Sequence, residues 1–374
     1  MIRKEAGFSL VELLITMLMS GLVIAAASSA FIGLLGQSRT QSKIVESNEN
    51  MIGLDIMRRD MESAGYGLTW DNPTPISYTE SSANLFTNPS STVNDATTGT
   101  PRAIISVDSA TYNSPNNIFN GSDYLVIKAV NVARNDTCER WSYLRSGNVV
   151  NQWNSANASE NFYSTDRVIV LDPKNKDTRP LILSGTGGFF TTYNAGALTD
   201  STFAPSDPND TYLVYGISGS TDPVRPFNRA DYYIARPATI PSRCAPNTGV
   251  LYKATLNADG TLNPQPIVDC VADVQVIFGL DNDGNGAFQS GIGTPADGYT
   301  STLSGLSSAQ QIRTKVKEVK VYILTHEGGR DLSYTHSTNP ITVGEFGLGR
   351  TVSLGSNLNY RWKVYRVAVK PFNL

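Results

Sequence analysis

Histidine and cysteine are both scarce in this 374-residue chain, at two and three copies. Cys138, Cys244 and Cys270 form no C-x-x-C pair, so a structural zinc site lacks its ligands. His326-Glu327 begins like H-E-x-x-H, but position 330 is Arg330; both histidines, His326 and His336, read as loop or strand-end residues. There is no G-x-x-x-x-G-K-[ST], no G-x-G-x-x-G and no G-x-S-x-G, and no two carboxylates are placed by sequence as an acid–base pair. Nothing in the chain points to an enzyme. Charge is also sparse: 17% of residues are Asp, Glu, Lys or Arg and the net charge is −3, which leaves no electrostatic footprint for nucleic acid.

The longest absence of charge is the informative one. From Leu13 to Ser38 there is none, and as a helix that stretch spans roughly 39 Å at ~1.5 Å per residue. A hydrocarbon core is about 30 Å thick, so the run can cross a membrane. Arg3 and Lys4 lie ahead of it and favour an N-in, C-out orientation. Glu12 sits at the head of the run. An ionised side chain in the middle of a membrane helix costs roughly 2.5–3.5 kcal/mol, and less near the interface, so such a residue is expected to have a function and a partner.

The residues Gly7-Phe8-Ser9-Leu10-Val11-Glu12-Leu13-Leu14 resemble the class III signal of type IV pilins and pseudopilins. The resemblance implies that a prepilin peptidase cuts between Gly7 and Phe8 and methylates the new amino terminus. It also implies that Glu12 neutralises the terminal amine of a neighbouring subunit during filament assembly, two charges that are costly apart and tolerable together. Two plainer readings compete. One is a secretory signal with Ala25-Ala26-Ala27 as its cleavage site and Ser28 as the mature start; the other is an uncleaved anchor. Neither explains Glu12.

Beyond the apolar run, apolar residues at Ile44, Met51, Ile52, Leu54, Met57 and Met61 mix with charged ones and no proline intervenes, which suggests a soluble half of the same helix with one broad side buried. Gly65-Tyr66-Gly67 is a helix stop. Residues 70–101 are polar and carry four prolines, and read as a long loop or poorly ordered region. Strands are expected at 103–107, 123–132, 167–171, 212–217, 231–236, 249–255, 273–280, 318–325 and 359–370, and a short helix at 307–316. In the last strand Tyr360, Trp362 and Val364 share one phase while Val367 and Val369 take the other, which suggests a bulge near Tyr365. The fold class is α+β: a long N-terminal helix, half membrane-spanning and half amphipathic, packed on a mainly antiparallel sheet with large insertions. The expected divisions are 1–7 leader, 8–36 membrane and assembly helix, 37–67 soluble helix, and 68–374 extracytoplasmic β-rich domain.

Outside the cytoplasm a disulfide persists, and Cys244 and Cys270 flank a strand that can return to bring them together. Closing that loop is worth roughly 3 kcal/mol in the chain-entropy model; Cys138 is then buried and odd, and the other pairings stay open. In Asp281-Asn282-Asp283-Gly284-Asn285-Gly286, the residues Asp281, Asp283 and Asn285 match the first side-chain positions of a calcium loop. The distal glutamate is missing, with Ile292 in its place, so any calcium affinity belongs in the weak range of roughly 10⁻⁴–10⁻³ M. The same residues also suit an ordinary Asp/Asn/Gly turn.

LDIMRRDMESAGYG and VADVQVIFGLDNDGNG resemble segments of the PilW-type minor pilins, the former also of the related J-type pseudopilins; residues 70–250 carry hardly any such likeness. The resemblance implies a minor pilin that helps initiate a type IV pilus and form its tip complex. It implies inner-membrane insertion followed by an extracellular, tip-proximal place. The implied partners are other minor pilins, the major pilin, the prepilin peptidase, the inner-membrane assembly platform and a tip adhesin. A J-type pseudopilin of type II secretion is the first alternative, and a membrane-anchored or secreted binding or degradative protein the second.

Overall fold

The computed structural model describes residues 9–72, 74–81, 93–108, 119, 121–153, 155–257, 260–289 and 297–374; of 32–46, 48 and 155–157 only the backbone is described. The chain divides into two compact units, 1–49 and 50–374.

In the first unit, helix α1 (Leu10–Glu62) begins behind a capping box. The Glu12 main-chain N–H donates to the Ser9 hydroxyl at 3.3 Å, and the Ser9 N–H donates to the Glu12 carboxylate at 3.1 Å. Two of the unpaired donors at the helix start are satisfied this way. Leu10–Phe31 is 22 residues long with a mean hydropathy of 2.2, and none of it is buried. A helix this apolar is stable only when lipid or other helices cover it.

The second unit holds the end of α1 and the whole β structure. Leu54, Met57 and Met61 recur at helical spacing and are buried, so this part of α1 lays one stripe on a sheet. Gly53 lets it approach closely, since a Cβ there would overlap the carbonyl oxygen of Ile267. The helix stops before Gly65, whose φ of +84° suits glycine alone, and the Gly65 N–H donates to the Lys128 carbonyl at 3.0 Å.

The strands follow in chain order. The first are β1 (Ile104–Val107), β2 (Tyr124–Ala129), β3 (Trp141–Arg145), β4 (Val149–Val150), β5 (Arg167–Leu171), β6 (Thr191–Asn194), β7 (Ala197–Leu198) and β8 (Thr211–Ser218). Then come β9 (Asn228–Ala235), β10 (Gly249–Leu256), β11 (Leu262–Leu280), β12 (Gly298–Thr300), helix α2 (Ala309–Lys315), β13 (Val316–Glu327), β14 (Ile341–Val343), β15 (Arg350–Val352) and β16 (Arg361–Val369). The main sheet runs β1-β2-β9-β10-β11-β13-β16 with β12 beside β11, antiparallel throughout. Between β2 and β9 the chain inserts a second sheet, β4-β3-β8-β5-β6-β7. Val150 on β4 donates to Gly196 beside β7, bringing the two ends together around Leu144, Val168, Val170, Phe203 and Val214. The class is therefore α+β, an apolar N-terminal helix followed by a mostly antiparallel β domain.

The described parts of 70–101 have neither helix nor strand, as a long loop should, and Ile76, Tyr78 and Val93 tie them to the core. Three expectations change. The strand expected over 123–132 stops at Ala129, because the Val130 N–H bonds Tyr66 and the chain turns into a short 3-10 segment. β11 begins eleven residues earlier than expected; Pro264 and Pro266 are tolerated there because that arm pairs with β10 alone, leaving one side without ladder bonds to supply. No bulge occurs at Tyr365, since β16 keeps register with β13 from Arg361 to Val369. Its apolar residues change phase because the sheet is covered on both sides. Val367 and Val369 join the core that holds α1, and Trp362 joins the opposite one under β14 and β15.

Gly53 supplies a stability test. Gly→Ala inside a helix ordinarily gains about 0.8–1 kcal/mol. Here the added carbon meets backbone, which no rotamer change relieves, and overpacking of that kind costs about 1–3 kcal/mol. Gly53→Ala is expected to lower the melting temperature of the purified protein by several degrees; an unchanged or raised value would contradict the close packing.

Candidate functional site

Gly7 and Phe8, the expected processing residues, lie outside the described residues. Glu12 is described. It is exposed on the apolar helix, and among the described residues it bonds within its own capping box with Ser9. This arrangement occupies part of the carboxylate locally and leaves the group open to an outside cation.

Within the second unit, Asp60 on α1 is fully buried. Its carboxylate accepts from Arg134 (2.8 and 3.2 Å) and from the Tyr232 hydroxyl (2.7 Å), and pairs with Lys253 at 2.5 Å. Burial and the adjacent carboxylate push the Tyr232 hydroxyl well above its usual range, so it stays a proton donor to Asp60. The same helix face borders a groove of about 1150 Å³. Met51, Ile52, Ile267, Tyr365 and Val367 give it apolar walls, with Arg58, Arg59, Arg134 and Lys253 among its polar ones.

A second buried network holds the described parts of the 70–101 segment. Lys128 on β2 lies 2.6 Å from Asp95 and 2.9 Å from Glu80. Glu80 accepts from Arg229 at 2.9 Å, and Arg229 grips Asp231 through two bonds of 2.6 and 2.7 Å. The sequence marks none of these residues as a group, because apart from Arg229 and Asp231, two positions apart, the partners lie 33 to 149 positions away.

Cys244 and Cys270 are joined, with Cα atoms 4.9 Å apart, and Cys138 is a buried free thiol. Burial pushes the Cys138 thiol up to about 11, so it stays protonated and unreactive. Next to the disulfide, His326 lies at the end of β13, as expected, and is buried. Its Nε2 accepts from the Ala245 N–H at 2.8 Å, so Nδ1 carries the proton and faces the Gly328 carbonyl at 3.1 Å. Tyr360 and Trp362 close over the ring.

At the acidic turn, the carboxylates of Asp281 and Asp283 are joined by that of Asp297, with one oxygen from each within 4.8 Å of the others. Asp297 was missed in the sequence because it lies outside the loop pattern. All six carboxylate oxygens accept a donor: from Gly284 and Gly286, from the Asn285 main chain and side chain, and from Asn282 and Gln289. Asn285 turns into its own loop, its side-chain oxygen accepting from Ala287. Ile292 lies outside the described residues. The turn thus closes on its own backbone.

A family model described as the prokaryotic N-terminal methylation motif matches residues 2–28. The match indicates a type IV pilin or pseudopilin-like protein, which implies processing by the prepilin peptidase and assembly with other pilins. It fits membrane anchoring and a pilus-like surface structure, and a structural protein rather than an enzyme. No curated protein and no solved structure matches the chain.

His326 makes stability depend on pH. Burial is the main cause of a folded pKa lowered to about 4, against about 6.5 unfolded. Between those values the unfolded chain binds the extra proton, so the contribution is complete above pH ~6.5 and lost as pH falls towards ~4, by about 3 kcal/mol. Between about pH 7 and pH 4 the wild type is expected to lose that much more stability than His326→Gln, whose amide can accept the same N–H and does not titrate. Parallel losses in denaturant unfolding of the two proteins would contradict this role.

Proposed function

We propose that the chain is a minor pilin of the PilW type, which helps start a type IV pilus and takes a place in its tip complex. The observation that carries the reading is the methylation motif, with Glu12 standing at the head of an exposed 22-residue apolar helix. The likeness of 54–67 and 271–286 to PilW-type segments supports the finer assignment. So does the six-stranded insertion, which adds surface for protein contacts beyond a helix-and-sheet core. The subunit acts by packing its helix among those of other minor pilins and the major pilin, after insertion in the inner membrane and release to the assembly platform. Glu12 meets the methylated Phe8 amine of a neighbour, and its hold on Ser9 is loosened in the exchange.

Glu12→Gln removes a charge that lipid disfavours, so membrane insertion and cleavage are expected to be normal. Recovery of the variant with sheared pili or with co-purified minor pilins is expected to fall at least several-fold. Wild-type recovery would sink the assembly role of Glu12. Purification with secretion-channel components instead of pilus subunits would replace the pilus reading with the J-type one.

A calcium ion held by Asp281, Asp283 and Asp297 is part of the same proposal, as a clamp on the turn that follows β11. Calorimetric titration with millimolar calcium should give binding heat that Asp297→Asn abolishes; heats equal to the buffer blank would leave the segment a plain turn.

A further inference from the structure

Lys128, Asp95 and Glu80 form an arrangement that a structural ion pair does not require. The Lys128 side chain is wholly buried, as is that of Glu80, and Asp95 is nearly so. The Lys128 nitrogen sits 2.6 Å from one Asp95 oxygen and 3.0 and 2.9 Å from the two oxygens of Glu80. It also lies 5.3 Å from the centre of the Phe227 ring, in a region walled by Ile76 and Tyr78. Glu80 fixes its neighbour as well, accepting the main-chain N–H of Asp95 at 2.7 Å.

We propose that Lys128 and Asp95 condense into an intramolecular isopeptide bond, with Glu80 moving the protons. An amine and a carboxylic acid do not combine usefully in water, where both are ionised and water is in excess. Burial removes the excess water, and fixed contact replaces a bimolecular encounter with an intramolecular one. The Lys128 ammonium first passes a proton to Asp95 and becomes an amine. Its nitrogen lone pair then attacks Asp95 Cγ, forming the C–N bond while the C=O electron pair moves onto oxygen. The Arg102 guanidinium, which donates to Asp95 Oδ1 at 2.6 Å, is placed to stabilise that oxyanion. Glu80 takes a proton from the nitrogen and returns it to the departing hydroxyl, the C–O bond breaks, and water leaves. Ammonium and carboxylate thus give one amide and one water, with no oxidant or co-reactant. This is a single self-modification and involves no turnover.

Charge supports the step. Arg102, Lys128 and Arg229 face Glu80, Asp95 and Asp231 in one connected network. Condensation removes one cation and one anion and leaves two facing two, so no uncompensated buried charge results. Lys253 and Asp60 serve as an internal comparison. They approach to 2.5 Å, but the other groups on Asp60 are Arg134 and Tyr232, neither of them a carboxylate that could shuttle protons. That pair remains ionic.

The test is intact-mass measurement and peptide mapping of the purified full-length protein under reducing conditions. The expected mass is one water below that of the processed chain, with the peptides carrying residues 95 and 128 recovered as one branched species. Peptides carrying residues 60 and 253 should be separate. In Glu80→Gln protein that retains wild-type circular dichroism, the branched species should be absent. Because the wild type alone decides, failure of a variant to fold leaves the test intact. A full mass with peptides 95 and 128 separate overturns the proposal, as does a lost water that maps to another pair. A branched species that persists in folded Glu80→Gln overturns the proton-carrying role of Glu80.

Discussion

A carboxylate taken out of water must be met by cations or donors, and the placing of the end of α1, from residue 50 on, against the sheet rests on that requirement at Asp60. Arg134 reaches it from the turn after β2, Tyr232 from β9 and Lys253 from β10. Three separate segments of chain are thereby fixed to one point of the helix. Removing one partner of such a group typically costs 3–5 kcal/mol, whereas the apolar contacts of Leu54, Met57 and Met61 give adhesion with little directional preference. The helix could slide on an apolar stripe alone; the carboxylate sets its register. Gly53 then allows the close approach that the register demands.

The same physics recurs around Glu80 and Lys128, where polar residues secure a segment with little secondary structure of its own. A loop with few ladder hydrogen bonds must settle its polar groups otherwise, and here Glu80 accepts main-chain N–H groups from Asp95 and Ala96 as well as side-chain donors. The domain is therefore held by buried charge networks as well as by its apolar cores. A disulfide at Cys244–Cys270 adds a third constraint near His326.

Local patterns were legible in the sequence and distant ones were not. The apolar run, Glu12, the glycine stop after α1, and strands such as Arg167–Leu171 are written in consecutive residues, and the structure has helix or strand there. The early arm of β11 was hidden by Pro264 and Pro266, which argue against a strand unless one side is known to be unpaired. The phase change in β16 looked like a bulge because sequence does not show that opposite faces are covered at different ends. Asp60, Glu80, Lys128 and Asp297 were invisible as a group, since nothing local marks a charged residue whose partner lies across the fold. At the candidate site, motif reading found Glu12 from its isolation in an apolar run; the Ser9 capping box lay in the same motif, in the S-x-x-E spacing, and went unread.

The functional account depends on what happens at the amino terminus, where an apolar helix with a single carboxylate needs either lipid or neighbours. Mass spectrometry of the N-terminal peptide from protein recovered from its native membranes and surface filaments tests this most directly. The account predicts a chain that begins at Phe8 with a methylated amine. A chain beginning at Met1 or at Ser28 would contradict it.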